Sequence, residues 1–156
     1  MIMDAELLFS GSQALTSTAV STIVSTNVVD LGPLDSGNLY RNIHYGNPVY
    51  ITGRMTVAGA SSGSATLTVN LVTDNNEGLT STSLVEALTG AIAVASLTKG
   101  ARLFASPIDK TKNLEQYLAV TYVVATAALS AGQITTAIVS DVDAFYAYAQ
   151  DYSNLF

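Results

Sequence analysis

The feature that most constrains this chain is an alternation of side-chain type with a period of two residues. Between residues 49 and 57 the odd positions carry apolar or small side chains, including Ile51, Gly53 and Met55, whereas Thr52 and Arg54 occupy even positions. Successive side chains of a strand point to opposite faces, so this pattern predicts a strand with one buried face. The same alternation returns between residues 65 and 71, where leucine and valine alternate with threonine and asparagine.

The two alternating runs are joined by small residues, GASSGS at 59–64. Two strands flanking a Gly/Ser turn are typical of a β-hairpin. We therefore predict that residues 49–57 and 65–71 pair with each other.

Further runs rich in Thr, Val, Ile and Tyr suit half-buried strands. They lie at residues 22–31, 83–88, 91–97, 102–106, 116–125 and 133–140. Lys99 and Gly100 suit a tight turn between two of these runs, and Pro107 should end its strand. About eight strands with few helix signals predict an all-β sandwich or barrel. A length of 156 residues fits a single domain spanning 1–156.

Composition and charge exclude several classes of protein. Twelve Asp and Glu against six Lys and Arg give a net charge of −6, so we expect no nucleic-acid partner, which would require clustered cations. The absence of cysteine excludes disulfides, zinc–thiolate clusters and thiol nucleophiles. The longest apolar run, 117–129, is shorter than the roughly 20 residues that span a bilayer, so no membrane partner is expected. Asp4 and Glu6 argue against a cleavable signal peptide.

Few residues could carry chemistry. His44 is the single histidine, so one chain cannot form a multi-histidine metal centre. His44 is expected to be a loop residue. Asp141 and Asp143 would share a face of a strand, where paired carboxylates can act as acid and base or bind calcium, but solvated side chains are the favoured interpretation. The segment 74–78 (DNNEG) resembles the start of a calcium loop, and a plain turn is favoured. We predict no catalytic residue, no metal site, no cofactor and no enzymatic activity.

Both ends of the chain are apolar or aromatic, although chain ends are usually polar. Such ends gain free energy only by docking, either onto their own domain or onto a partner, and both alternatives remain open. Residues 142–152 fit a helix slightly better than a strand. The candidate residues for a capsid interface or a self-interface are Leu7, Leu8, Phe9, Phe145, Tyr146, Tyr148, Tyr152 and Phe156.

Three segments resemble the capsid cement proteins, or decoration proteins, of short-tailed bacteriophages. They are residues 1–16 (MIMDAELLFSGSQALT), 25–32 (STNVVDLG) and 140–149 (SDVDAFYAYA). The similarity extends along the chain and consists of composition and order, without a catalytic motif. It implies a jelly-roll-like antiparallel β-sandwich of about eight strands. The expected organisation is an extended N-terminal arm at 1–15, a sandwich core at 20–141 and a short aromatic C-terminal tail at 142–156.

The resemblance also implies a function. Such a protein is a structural component of the virion, made in the host cytoplasm, that binds the outer surface of an icosahedral head. Its partners would be the major capsid protein of a tailed phage, whose neighbouring subunits it would bridge and stabilise, and further copies of itself in a homodimer or homotrimer. No catalytic residues carry over from the family.

The alternative is a carbohydrate-binding jelly-roll module of the receptor-binding or lectin-like kind. Tyrosine rings stack on sugars, and carboxylates such as Asp141 and Asp143 bind hydroxyl groups or calcium. Jelly rolls host many functions, so the fold does not choose between the two.

Overall fold

The computed structural model describes residues 5–32, 48–109, 112 and 114–147, apart from the side chains of Ala144, Tyr146 and Ala147. Within these residues the strands, in chain order, are β1 (Leu8–Ala14), β2 (Ser21–Val24), β3 (Val29–Asp30), β4 (Tyr50–Ala60), β5 (Thr66–Asp74), β6 (Ser83–Ala87), β7 (Ile92–Ala93), β8 (Arg102–Pro107), β9 (Tyr117–Ala125) and β10 (Ala131–Val139). Two short 3-10 helices, Ala5–Leu7 and Val94–Ser96, and one α-helix, α1 (Val142–Ala147), complete the described elements.

The strands form two antiparallel sheets. Sheet A has the order β1-β10-β4-β8, and sheet B has the order β2-β9-β5-β6. The short strand β3 pairs with β9, as β2 does, and β7 pairs with β5, as β6 does. Each of these pairs is therefore one interrupted strand, and eight strands remain. The all-β sandwich expected from the alternating pattern is confirmed.

The strand order is that of a jelly roll. When the eight strands are counted along the chain, sheet A reads 1-8-3-6 and sheet B reads 2-7-4-5. The first strand therefore pairs with the last, the second with the seventh, the third with the sixth and the fourth with the fifth. This nesting is produced by rolling up one long antiparallel ribbon into two packed sheets.

The predicted hairpin between residues 49–57 and 65–71 is wrong. β4 pairs with β10 and β8 in sheet A, whereas β5 pairs with β9, β6 and β7 in sheet B. The alternation correctly identified one inward face on each strand, but the two faces meet across the interior from opposite sheets. The Gly/Ser segment carries the chain from one sheet to the other instead of reversing it within one sheet.

The N-terminal arm expected at residues 1–15 contains one strand of the sandwich. Leu8–Ala14 is β1, an edge strand of sheet A that pairs with β10 from Leu8 opposite Ala137 to Ala14 opposite Gln133. The register shifts twice along this pairing, and Ser12 has a φ of +49°. These irregularities interrupt the period of two, so the strand left no alternating signal in the sequence.

The interior between the sheets is apolar along most of its length. In β4 the odd positions face inward, where Ile51 and Met55 are buried, and a Cβ atom on Gly53 would lie 2.3 Å from Cε1 of Phe104. A glycine at position 53 therefore makes room for the Phe104 ring. The largest fully buried side chains are Tyr122, Phe9, Leu15, Ile51, Met55, Leu67, Leu71, Leu97, Leu118, Leu129, Ile134 and Val69.

The outer face of sheet A is covered as well. Ala137, Val139 and Phe145 form a second buried cluster against which Leu8, Tyr50 and Val142 pack. Phe145 belongs to α1, so this helix lies on the sheet and buries a face that the alternation of β4 had marked as polar. No helix among the described residues has the length and apolar character needed to cross a lipid bilayer.

The other predicted elements agree with the structure except in two runs. Residues 22–31 are divided into β2 and β3, and residues 91–97 contain the short β7 followed by a 3-10 helix. Pro107 is the last residue of β8, and Gly100 adopts a φ of +83° in the turn before that strand.

Candidate functional site

Four connections meet at one end of the sandwich. They are residues 15–20, 61–65, 94–101 and 126–130, and they contain no Asp or Glu. Hydrogen bonds join them: the amide of Ser17 donates to the Leu129 carbonyl at 3.1 Å, Ser61 Oγ donates to the Ala128 carbonyl at 2.7 Å, and the amide of Val94 donates to the Ala65 carbonyl at 3.0 Å. We call these four segments the neutral end.

An open pocket of about 610 Å³ lies at the neutral end. Its lining consists of small and hydroxyl-bearing residues and one leucine, and it carries no charged side chain. Val20, in the same segment, is 58% exposed. The residues that line the pocket are Thr16, Ser17, Thr18, Ala19, Ser21, Leu129 and Ser130.

The opposite end of the sandwich is acidic. Strand pairing brings residue 30 of β3 and residue 74 of β5 to the same position on β9, opposite Tyr117, and the first residue of β4 pairs with the last of β8. We call the acidic residues at or beside these strand ends the acidic end, and they are Glu6, Asp30, Asp74, Glu77, Asp109, Glu115 and Asp141.

Asp74 shows how one of these carboxylates is used. Its side chain is 4% exposed, Oδ1 accepts a hydrogen bond from the amide of Asn76 at 3.0 Å, and Oδ2 accepts one from the amide of Ser81 at 2.7 Å. The amide of Gly78 donates to Asn76 Oδ1 at 2.8 Å. Residues 74–78 thus lie in a turn that is stabilised by backbone amides donating to the Asp74 carboxylate.

Between the two ends, a chain of hydroxyl groups crosses the interior. Tyr122 of sheet B lies 2.7 Å from Ser10 Oγ and 2.6 Å from Thr136 Oγ1, both in sheet A. Ser10 Oγ donates to Gln13 Oε1 at 2.6 Å, and the Gln13 amide nitrogen donates to the Val24 carbonyl at 2.7 Å. We call this chain the hydroxyl seam.

The direction of each hydrogen bond in the hydroxyl seam follows from the fact that each hydroxyl group has one proton to donate. Ser10 gives its one proton to Gln13, so Tyr122 donates to Ser10, and Thr136 donates to Tyr122. Burial raises the pKa of Tyr122 from 10.0 to about 12, and the hydrogen bonds to Ser10 and Thr136 oppose this rise. The seam thus keeps its protons at physiological pH and links the two sheets.

The apolar residues near the start of the chain dock onto their own domain. Phe9 is fully buried in the main core, Leu7 packs against that core, and Leu8 packs against the cluster under α1. Of the two alternatives for the N-terminal candidates, self-docking is the one that the structure shows within the chain.

The C-terminal candidates are divided. Phe145 lies on the side of α1 that faces the sheet and is 2% exposed. Residues 142–147 are helical, which is the alternative that the sequence slightly favoured. Tyr146 lies in α1, but its side chain, and all of Tyr148, Tyr152 and Phe156, lie outside the described residues.

Arg54 holds α1 on sheet A and was not singled out from the sequence. Its guanidinium carbon lies 5.1 Å from the centre of the Phe145 ring, and Nη1 donates to the Phe145 carbonyl at 3.4 Å. A cation over an aromatic face and a hydrogen bond both stabilise this contact. An arginine within an alternating strand is ordinarily a solvated residue, so no sequence signal marks this role.

The candidates for chemistry are dispersed. Asp141 precedes α1 and Asp143 lies within it, so the two do not share the face of a strand, and both are exposed. His44 lies outside the described residues. Over the described ranges, no group of three or more His, Cys, Asp or Glu side chains could hold a metal ion.

These observations define a small jelly-roll β-sandwich with two chemically unlike ends and a hydrogen-bonded hydroxyl seam through its interior. The family model Bbp16 matches residues 9–138, from β1 to β10, and the chain belongs to the Bbp16 family. The family name indicates a phage-related protein. A search of curated proteins found no match.

Proposed function

We propose that this protein is a capsid cement protein, which binds the outer surface of an icosahedral phage head and bridges neighbouring major capsid subunits. Membership of a phage-related family and the resemblance of three segments to cement proteins support this role. The virion is the corresponding location, and the host cytoplasm is the place of synthesis.

The hydroxyl seam is the structural observation that carries the proposal. Its buried polar groups are used to join the sheets, since Tyr122 reaches across the interior to Ser10 and Thr136. Gln13 then ties β1 to the edge of sheet B through the Val24 carbonyl and the Thr26 amide. Fully paired polar networks rigidify a core. A rigid sandwich suits a protein that must hold capsid subunits together against internal pressure.

Self-association is part of the proposal. Weak contacts that are repeated over a shell give a high overall avidity, because each bound contact raises the effective concentration for the next one. A dimer or trimer would present two or three copies of the same docking surface to neighbouring subunits. Light scattering at micromolar concentration should give a mass of two or three chains, and a monomer would contradict this part.

The copy number of the chain in purified particles of its source phage tests the function. Quantitative mass spectrometry should give a fixed ratio to the major capsid protein, near one or a simple fraction of one. A handful of copies per particle, or none, would contradict cementing. Selective binding on a glycan array, with or without calcium, would then favour the carbohydrate-binding alternative.

A further inference from the structure

The geometry points to the neutral end as the surface that docks on the capsid, an inference that rests on the proposed function. Its occupant is a carboxylate-bearing segment of the major capsid protein that places an apolar side chain beside Val20 and the pocket. The acidic end then faces away from the shell.

Charge favours the neutral end as a docking surface. A chain with a net charge of −6 places no carboxylate in residues 15–20, 61–65, 94–101 or 126–130. A partner that approached the acidic end would have to desolvate several carboxylates, which is unfavourable without compensating cations. The neutral end avoids this cost. It also carries the exposed Lys99, and the exposed Arg102 follows at the start of β8. Both residues already interact with other groups of the chain, and their positive charge adds to a field that complements an acidic segment.

Conformational entropy also favours docking at the neutral end. The neutral end is built mainly from Ser, Thr, Ala and Gly, whose side chains lose little freedom when a partner immobilises them. The connections already hold one another, since the amide of Ser130 donates to the Ala60 carbonyl at 2.8 Å and Ser17 and Ser61 bond to the segment 126–130. Binding to a preorganised surface loses less conformational entropy.

Apolar contact is a third property that favours docking at the neutral end. Val20 is 58% exposed beside a pocket of about 610 Å³ that can receive a side chain from a partner. Apolar anchors seated in pockets supply much of the affinity of protein interfaces. Leu84 on β6 is even more exposed, at 65%, but it follows the acidic turn after Asp74. Leu84 and Val20 are the two most exposed large aliphatic residues among those the structure describes, and they lie in opposite electrostatic surroundings, which makes a matched pair for experiment.

The test compares Val20→Glu with Leu84→Glu in binding to purified phage shells that lack this protein. Both variants replace an exposed aliphatic residue with the same charge, and circular dichroism checks that each is folded. We expect Val20→Glu to weaken binding by at least about tenfold and Leu84→Glu to change it by less than about twofold. Thr18→Glu, at an exposed position that lines the pocket, should behave as Val20→Glu does and replaces that variant if it does not fold.

Charge complementarity is tested in the same assay. Lys99→Glu should weaken binding, and binding of the wild-type chain should decrease with added salt. If the wild-type chain binds shells but Val20→Glu and Thr18→Glu bind as the wild type does, or Leu84→Glu weakens binding more than they do, the docking surface lies elsewhere and cementing stands. If binding by the wild-type chain is unaffected by salt and by Lys99→Glu, the acidic partner segment is wrong. If the wild-type chain does not bind shells, both the function and this inference are overturned.

Discussion

The neutral end and the acidic end of the sandwich are organised by different means. At the neutral end, main-chain carbonyls of one connection accept hydrogen bonds from the next, as between Ser17 and Leu129. At the acidic end, carboxylates accept hydrogen bonds in addition to main-chain carbonyls such as that of Gln116, which accepts the Leu31 amide at 2.8 Å. Asp74 accepts two backbone amides, and Asp30 accepts the Gly32 amide at 2.8 Å and the Gln116 amide group at 3.2 Å.

This difference shows how one fold separates structural from interacting residues. Where main-chain carbonyls are the main acceptors, most side chains of the loops remain available to a partner, and Ser61 is an exception. Where carboxylates hold the loops, their removal should damage the domain itself. Substitutions at each end, scored by their effect on the free energy of unfolding, therefore test this difference.

The largest effect is expected at the acidic end, from Asp74→Ala. The substitution leaves the amides of Asn76 and Ser81 without their acceptor in a place where the carboxylate was nearly fully buried. We expect a loss of about 2 to 4 kcal/mol in the free energy of unfolding, measured by urea denaturation. Glu77→Ala, an exposed residue of the same turn, should cost less than about 0.5 kcal/mol. Equal losses from the two variants would show that the buried carboxylate has no special structural role.

The hydroxyl seam between the ends predicts a pH dependence. The pKa of Tyr122 is 10.0 in the unfolded chain and about 12 in the folded protein, so the unfolded state loses its proton first as the pH rises. The stability linked to Tyr122 is therefore complete below pH 10 and is lost progressively between pH 10 and 12. Two pH units correspond to about 2 to 3 kcal/mol.

The measurement is urea denaturation at intervals from pH 9 to 12. Tyr122→Phe removes the titrating group and should lack this share of the decline, although it is less stable at pH 7 because Ser10 and Thr136 lose their shared partner. Tyr117→Phe, on the same strand, should keep the wild-type decline. Parallel decreases in all three proteins would exclude Tyr122 as the cause.

The sequence predicted the faces of the strands better than their partners. Alternation located β4 and β5 and their inward sides, because it records burial on one side of each strand. It could not tell pairing within a sheet from packing across the sandwich, since both place the same side chains against the same interior. The short Gly/Ser link between the strands fits either geometry, so the hairpin was predicted where the chain changes sheets.

The candidate site was less accessible to sequence reasoning. The apolar residues at the N-terminus were recognised as a docking segment, but β1 is bulged, so its place in sheet A was hidden. The neutral end consists of four segments that are far apart in the chain and meet only through the jelly-roll order. Each segment by itself is an ordinary Ser- and Thr-rich loop. The absence of carboxylates becomes informative only when the four segments are seen together.

Gly132 of β10, two residues beyond the neutral end, tests how tightly the strands next to this end are packed. Its φ is +139°, and an added Cβ atom would lie 3.3 Å from the Cα atom of Gly59. Gly132→Ala should therefore cost about 1 to 3 kcal/mol in unfolding free energy, because a side chain is strained in this conformation. Gly90→Ala has open space and no positive φ, and it should leave stability nearly unchanged. If Gly132→Ala left the free energy of unfolding unchanged, the backbone near this end would be able to relax around an added side chain.

The smallest effect is expected from Ser61→Ala, the neutral-end counterpart of Asp74→Ala. Ser61 Oγ donates to the Ala128 carbonyl and accepts the Gly63 amide at 3.1 Å, so its removal breaks two hydrogen bonds, as at Asp74. Here the acceptor is an uncharged hydroxyl, and the exposed Gly63 amide can turn to water. We expect a loss of about 0.5 to 1 kcal/mol, or a decrease in Tm of no more than about 4 °C by calorimetry. A loss as large as that of Asp74→Ala would mean that side chains hold both ends equally, and the loops of the neutral end could not then be regarded as free to serve a partner.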